Sequence, residues 1–138
     1  MTVVRPIPMK EALEFNSKHW PKHNARQGID WKLVEYALGF YDEDECLGVA
    51  YYKVVGGMGH LDQIVVADGR TQQGIGSQLM KAFESHVAEL GCHVVQLETA
   101  ETQAPGFYER HGYERIGTYR NGRFHLDWHL YRKEIAQS

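Results

Sequence analysis

Apolar and polar positions change period several times along this chain, and each period predicts an element. Gly74 to Leu90 has the clearest helical spacing: Ile75, Leu79, Phe83, Val87 and Leu90 form one stripe, with Lys81, Glu84, Ser85 and Glu89 largely off it. Gly91 stands where a helix-ending glycine belongs. Met9 to Trp20 reads as a second amphipathic helix, with Met9, Leu13, Phe15 and Trp20 turned inward and Pro21 ending it. Lys22 to Asp30 is polar, contains Gly28 and is expected as a loop. Pro105 suits a first helical turn, so Pro105 to His111 should be a short helix ended by Gly112.

The strands read differently. Thr2 to Arg5 is a short first strand closed by Pro6 and Pro8. Leu33 to Tyr41 and Cys46 to Val55 form a hairpin around the acidic tip Asp42 to Glu45, which is expected to face water. His60 to Val66 follows the turn Gly56-Gly57-Met58-Gly59, and Val94 to Thr99 follows the long helix. Tyr113 to Tyr119 and Phe124 to Tyr131 form a last hairpin around Asn121-Gly122. The order is β-α-β-β-β-α-β-α-β-β, an α/β chain with a mixed sheet. Consecutive hairpins at the start of the core argue against a doubly wound parallel sheet.

Composition narrows the class. The 138 residues suit one domain, taken as 1–138, and 43% hydrophobic with 24% charged residues is ordinary for a globular protein. A net charge of -3 gives no basic footprint for nucleic acid. No apolar run approaches the roughly 20 residues that span a bilayer, and the first residues lack a signal-peptide pattern. Neither a nucleic-acid nor a membrane partner is expected, and a reducing cytoplasm is the simplest compartment. The two cysteines, Cys46 and Cys92, lie in apolar strand-like runs and read as small buried hydrophobes.

The chemistry concentrates where the strand His60 to Val66 leads through Gln72-Gln73-Gly74-Ile75-Gly76-Ser77 into the long helix. A helix N-terminus offers unpaired N–H groups and the positive end of the helix dipole, and glycine lets phosphate oxygens approach. A dinucleotide fingerprint needs a third small residue, but Ser77, Gln78 and Leu79 follow Gly76. A Walker loop needs a Gly-Lys-Ser/Thr that is absent here. Taken alone, the turn could also be only a flexible helix start.

A second, distant motif, Phe107-Tyr108-Glu109-Arg110-His111-Gly112-Tyr113, changes that. With Thr71-Gln72-Gln73-Gly74-Ile75-Gly76, it makes residues 32 to 134 resemble the GNAT superfamily of acyl-CoA N-acyltransferases, which pairs a Q/R-x-x-G-x-G/A turn with a late F-Y-x-x-x-G-F/Y segment. Two positions depart from the pattern: Thr71 replaces the usual Gln or Arg, and Glu101 stands where many relatives place an asparagine. The resemblance implies a mixed, mostly antiparallel sheet flanked by helices. It implies acetyl-CoA or another acyl-CoA as donor and direct attack by a small-molecule or peptide amine in a ternary complex; no metal is expected, since no clustered Cys or helical His pair supports one. Homodimers are frequent among such relatives. Ile64, Val65 and Val66 would border the pantetheine arm, and Thr71, Gln72, Gln73, Gly74, Ile75, Gly76 and Ser77 the pyrophosphate, with Glu101, Phe107 and Tyr108 also at the cofactor.

Tyr108 matches the family's proton donor to the leaving thiolate; packing at a helix start is the plain alternative. Asp62 and Glu98 are candidates for the base, or for attraction of a cationic amine, and strand alternation places Asp62 on the face of Ile64 and Val66. His125, Asp127 and His129 alternate along the last strand. They could bind a metal, line the acceptor pocket or face solvent; the resemblance favours His125 and His129 as substrate-selecting residues. A non-catalytic acyl-CoA-binding module is the competing reading.

Overall fold

The computed structural model describes residues 1–24, 31–71, 73–101, 103–121 and 123–136, the side chains of 22–24 excepted. Its contacts divide the chain into two units, Met1–Trp31 and Lys32–Ser138. Among its described residues the first holds one helix, α1 (Met9–Asn24). The Pro8 carbonyl opens it by accepting the Glu11 and Ala12 N–H groups at 3.1 and 3.3 Å. Thr2 to Arg5 forms no strand, since no neighbouring strand completes its ladder, so the chain's order begins with a helix. Pro21 does not end α1 either; it lies in the final turn, where its missing N–H removes a single ladder bond. Met9, Leu13, Phe15 and Trp20, expected inward, are exposed. Leu13 and Phe15 are about 200° apart around a helix, so they cannot share one buried stripe. Of the expected loop at Lys22 to Asp30, residues 22–24 are helical and 25–30 lie outside the described residues.

The second unit is a six-stranded sheet carrying two helices. In chain order these are β1 (Val34–Asp42), β2 (Glu45–Val55), β3 (Met58–Val66), α2 (Ile75–Glu89), β4 (Val94–Ala100), α3 (Pro105–Arg110), β5 (Glu114–Tyr119) and β6 (Trp128–Glu134). The strands lie in the order β1-β2-β3-β4-β6-β5. Every pairing is antiparallel except β3 with β4, so the sheet is mixed and mostly antiparallel, as expected. The exception follows from connectivity: α2 is the crossover that a parallel pair requires.

The face of α2 builds the core. Ile75, Leu79, Met80, Phe83 and Val87 are buried with Tyr52 and Leu61 of the sheet. Met80 joins the stripe and Leu90 leaves it, because the helix ends at Glu89 and Leu90 caps it. Gly91, at φ 88°, turns the chain out of the helix, donating to the Ala88 carbonyl while Cys92 donates to that of Val87. Cys92 is buried as expected; Cys46, at the start of β2, is exposed. The last hairpin is shifted. Residues 123–125 form a turn and β6 begins at Trp128, four residues later than expected; Gly122 lies outside the described residues. Among the described residues no helix is long and apolar enough to cross a membrane.

Candidate active site

The connection from β3 to α2 ends on Gly74, the helix N-cap, at φ 76° and ψ 8°. This left-handed conformation is strained for any residue with a Cβ. No side chain caps α2 and no acid stands in its first turn, so no carboxylate of that turn offsets the positive end of its dipole. A Cβ on Gly74 would meet nothing within 4 Å, whereas one on Gly76 would lie 3.2 Å from Phe107 Cε1 and 3.9 Å from Val66 Cγ2. Gly76 therefore brings the first turn of α2 against the ring of Phe107.

A cavity of about 390 Å³ opens at this meeting point. Ile64 and Val66 of β3 form one wall, Thr71, Gly74, Gly76 and Ser77 another, and Ala104, Phe107, Tyr108 and Arg110 the third. Most of the expected cofactor residues are thus brought together from three separate segments. Four described ones are not part of the lining. Ile75 turns into the core, Val65 and Gln73 are exposed, and Glu101 is taken by a histidine described below. Gln72 lies outside the described residues. Arg110 was missed in the sequence, although it follows Phe107 at i+3 and so shares its side of α3.

Tyr108 is half-buried among aromatic rings, 5.2 Å from Phe107, 6.0 Å from Tyr113 and 6.3 Å from Tyr131 between centroids. Burial pushes its hydroxyl pKa above the ordinary tyrosine value, so it stays protonated and able to donate at neutral pH. The C-terminal end of α3 is tied to the first turn of α2: His111 Nε2 lies 3.0 Å from Ser77 Oγ. Burial lowers the His111 pKa, with Glu84 opposing and Lys133, Lys81 and Arg110 reinforcing.

The two candidate bases lie within β3 and β4, Asp62 two residues before the cavity-lining Ile64 and Glu98 two residues before the end of β4. The parallel ladder of β3 and β4 covers only Met58 to His60 against Val94 to Gln96 and stops there, although β3 continues to Val66 and β4 to Ala100. Just beyond, the pairing of β2 with β3 shifts and leaves Asp62 without a partner residue. This bulge interrupts the strict alternation expected to keep Asp62 on the face of Ile64 and Val66. Those two border the cavity, whereas Asp62 is held 2.8 Å from His60 Nδ1 and 3.3 Å from Lys53 Nζ. Glu98 Oε2 is 3.1 Å from the other ring nitrogen of His60. His60 and Lys53 were not singled out from the sequence. The signal for His60 was its i, i+2 relation to Asp62 on a strand; Lys53 is its cross-strand partner, which only the register reveals.

The expected substrate residues go elsewhere. His129 is buried, with Nδ1 3.0 Å from Thr118 Oγ1 and Nε2 bonded to Glu101. That bond, before desolvation and charge, is the largest influence on Glu101 and lowers its carboxyl pKa. His125 is exposed in the turn before β6 at φ 51°, so it does not share a strand face with Asp127 and His129. Among the described residues no group of three or more His, Cys, Asp or Glu side chains is arranged to hold a metal.

The model of the acetyltransferase (GNAT) family matches residues 7–113. Two curated relatives are each 36% identical to the chain: the uncharacterized N-acetyltransferase YjcF of Bacillus subtilis, over 73 residues, and the blasticidin-S acetyltransferase of Streptomyces morookaense, over 77. These matches cover 53% and 55% of the chain and 51% and 57% of the relatives, so the chain spans about half the length of the curated relatives it matches. The crystal structure of an acetyltransferase from Bacillus cereus superposes with a TM-score of 0.82 at 22% identity, covering 97% of this chain and 98% of that one, and shares the fold.

Proposed function

This chain belongs to the acetyltransferase (GNAT) family, and on that premise we propose that it transfers an acetyl or other short acyl group from acyl-CoA to a primary amine by direct attack in a ternary complex. The observation that carries the reading is the cavity in which β3, the glycine turn and α3 converge. Its chemistry fits the donor. The first-turn N–H groups of α2, with open space at the missing Cβ of Gly74, suit a pyrophosphate, and Arg110 adds a cation at the rim. Ile64 and Val66 offer an apolar border to the pantetheine arm, and their strand has backbone groups beyond the end of the β4 ladder to pair with it. All of these groups belong to the unit Lys32–Ser138, where we place the activity.

An alkyl ammonium with a pKa near ~10.4 must lose a proton before its nitrogen attacks the thioester carbonyl, and Asp62 or Glu98 accepts it. The C–N bond forms and the C–S bond breaks. Tyr108 protonates the leaving thiolate and regains a proton from the nitrogen of the new amide. One proton is released to solvent for each transfer.

The test is release of free CoA from acetyl-CoA, followed with a thiol reagent. The panel of amines is putrescine, spermidine, blasticidin S and a peptide with a free N-terminus. Amine-dependent release supports the reading. Saturable acetyl-CoA binding without release for any acceptor would point instead to an acyl-CoA-binding module. Thermal stabilisation by NAD or ATP but not by CoA would refute the donor assignment.

A further inference from the structure

Asp62 and Glu98, 36 positions apart in sequence, are joined by one side chain. His60 presents Nδ1 to Asp62 at 2.8 Å and Nε2 to Glu98 at 3.1 Å. It stands on the last rung of the β3–β4 ladder, opposite Gln96, where the two strands cease to pair, four residues before Ile64 of the cavity wall. The carboxylates differ in their other surroundings. Asp62 also holds Lys53, and its side chain is 22% exposed. Glu98 is the more open, at 39%. An imidazole facing a carboxylate through each nitrogen donates to both only when it carries both protons, so the state of one carboxylate is felt by the other through the ring.

We propose that His60 is a positioning residue for acyl transfer. Asp62 fixes the ring through Nδ1, and the ring holds Glu98 at Nε2 as the carboxylate that takes the proton from the acceptor ammonium. The inference rests on the acyl-transfer reading and selects between its two candidate bases. In the step concerned, an ammonium N–H bond breaks and the proton passes to Glu98 and then to water. The electron pair left on nitrogen forms the C–N bond as the C–S bond breaks, and the thiolate takes its proton from Tyr108. Lys53 compensates part of the charge of Asp62, which suits Asp62 to orientation and leaves Glu98 as the acceptor of the proton.

The experiment uses the full chain, acetyl-CoA and the amine of the panel that wild type turns over fastest. His60→Gln, Asp62→Asn, Glu98→Gln and the double variant His60→Gln/Asp62→Asn are compared by kcat/KM across pH and by acetyl-CoA affinity. His60→Gln is expected to lower kcat/KM for the amine about 10²-fold and to change the acidic side of its pH profile, with acetyl-CoA affinity within about twofold of wild type. Adding Asp62→Asn to His60→Gln should bring little further loss, because the two residues act as one unit. Glu98→Gln should be the slowest single variant. An unchanged pH profile and kcat/KM in His60→Gln would overturn the proposal, as would Asp62→Asn proving slower than Glu98→Gln. Equal losses of turnover and acetyl-CoA affinity in His60→Gln would show a merely structural role and overturn it too. Wild type that binds acetyl-CoA but turns over no amine fails differently, removing the acyl-transfer reading and this inference together.

Discussion

A single Cβ placed at Gly76 or at Gly74 separates packing from ligand binding at the glycine turn. Gly76 is helical, so alanine there gains up to about 1 kcal/mol of helix propensity. Against this, its Cβ would come 3.2 and 3.5 Å from Phe107 ring atoms and 3.9 Å from Val66, so the ring must shift by a few tenths of an ångström. Overpacking of this kind costs about 1 kcal/mol at the low end of its range, and the two terms nearly cancel. Gly76→Ala should therefore unfold within about 1 kcal/mol of wild type in urea. Gly74→Ala meets no neighbour, but its φ of 76° should cost about 1–2 kcal/mol. Binding should rank the same way. Alanine is allowed at the Gly76 position in the family's pattern, and its Cβ would point at Phe107 and Val66, so Gly76→Ala should hold CoA within about threefold of wild type by titration calorimetry. The Gly74 Cβ would enter the open space proposed for the pyrophosphate and should weaken CoA about tenfold, or about 1.4 kcal/mol. CoA affinity in Gly74→Ala equal to wild type would refute the pyrophosphate site. A stability loss above about 3 kcal/mol in Gly76→Ala would show that the contact with Phe107 was misjudged.

Tyr108→Phe should lower kcat about 10²-fold in the CoA-release assay and leave acetyl-CoA affinity within about twofold; equal losses would assign Tyr108 to packing. Because burial raises the Tyr108 pKa, the loss of activity from its ionisation should fall above pH 10, where a wild-type pH–rate profile would locate it. Phe83→Ala should destabilise the fold by about 3–5 kcal/mol in denaturant melts, since Phe83 is fully buried with its ring 4.6 Å from Tyr52. The folded-state pKa of His111 lies below its ordinary value of 6.5, so the unfolded chain binds more protons just below that pH. Stability from this residue is complete above pH 6.5 and declines as pH falls through the window beneath it. Thermal melts at pH 5 and pH 7 should therefore differ less in His111→Gln than in wild type.

What could be read from the sequence was local. The spacing of Ile75, Leu79, Phe83 and Val87 identifies α2 because a helix repeats its face within a few residues. Gly74 and Gly91 mark its ends because positive φ is a property of single residues. The β1–β2 hairpin and the family's two motifs are local in the same sense, and they carried the family and most of the cavity wall. Tertiary structure decided whatever depends on a partner. Thr2 to Arg5 has strand-like residues but no ladder, and Met80 rather than Leu90 completes the buried face because of where the helix ends. His129 looked like a pocket residue until Thr118 and Glu101 enclosed it. Sequence periodicity also assigned Asp62 to a regular strand. The bulge that interrupts this strand, the early end of the β3–β4 ladder and the meeting of Asp62, His60 and Glu98 all arise from pairings between distant segments. Such pairings are set by which strands share a sheet and in what register, and no local pattern of residues carries that information.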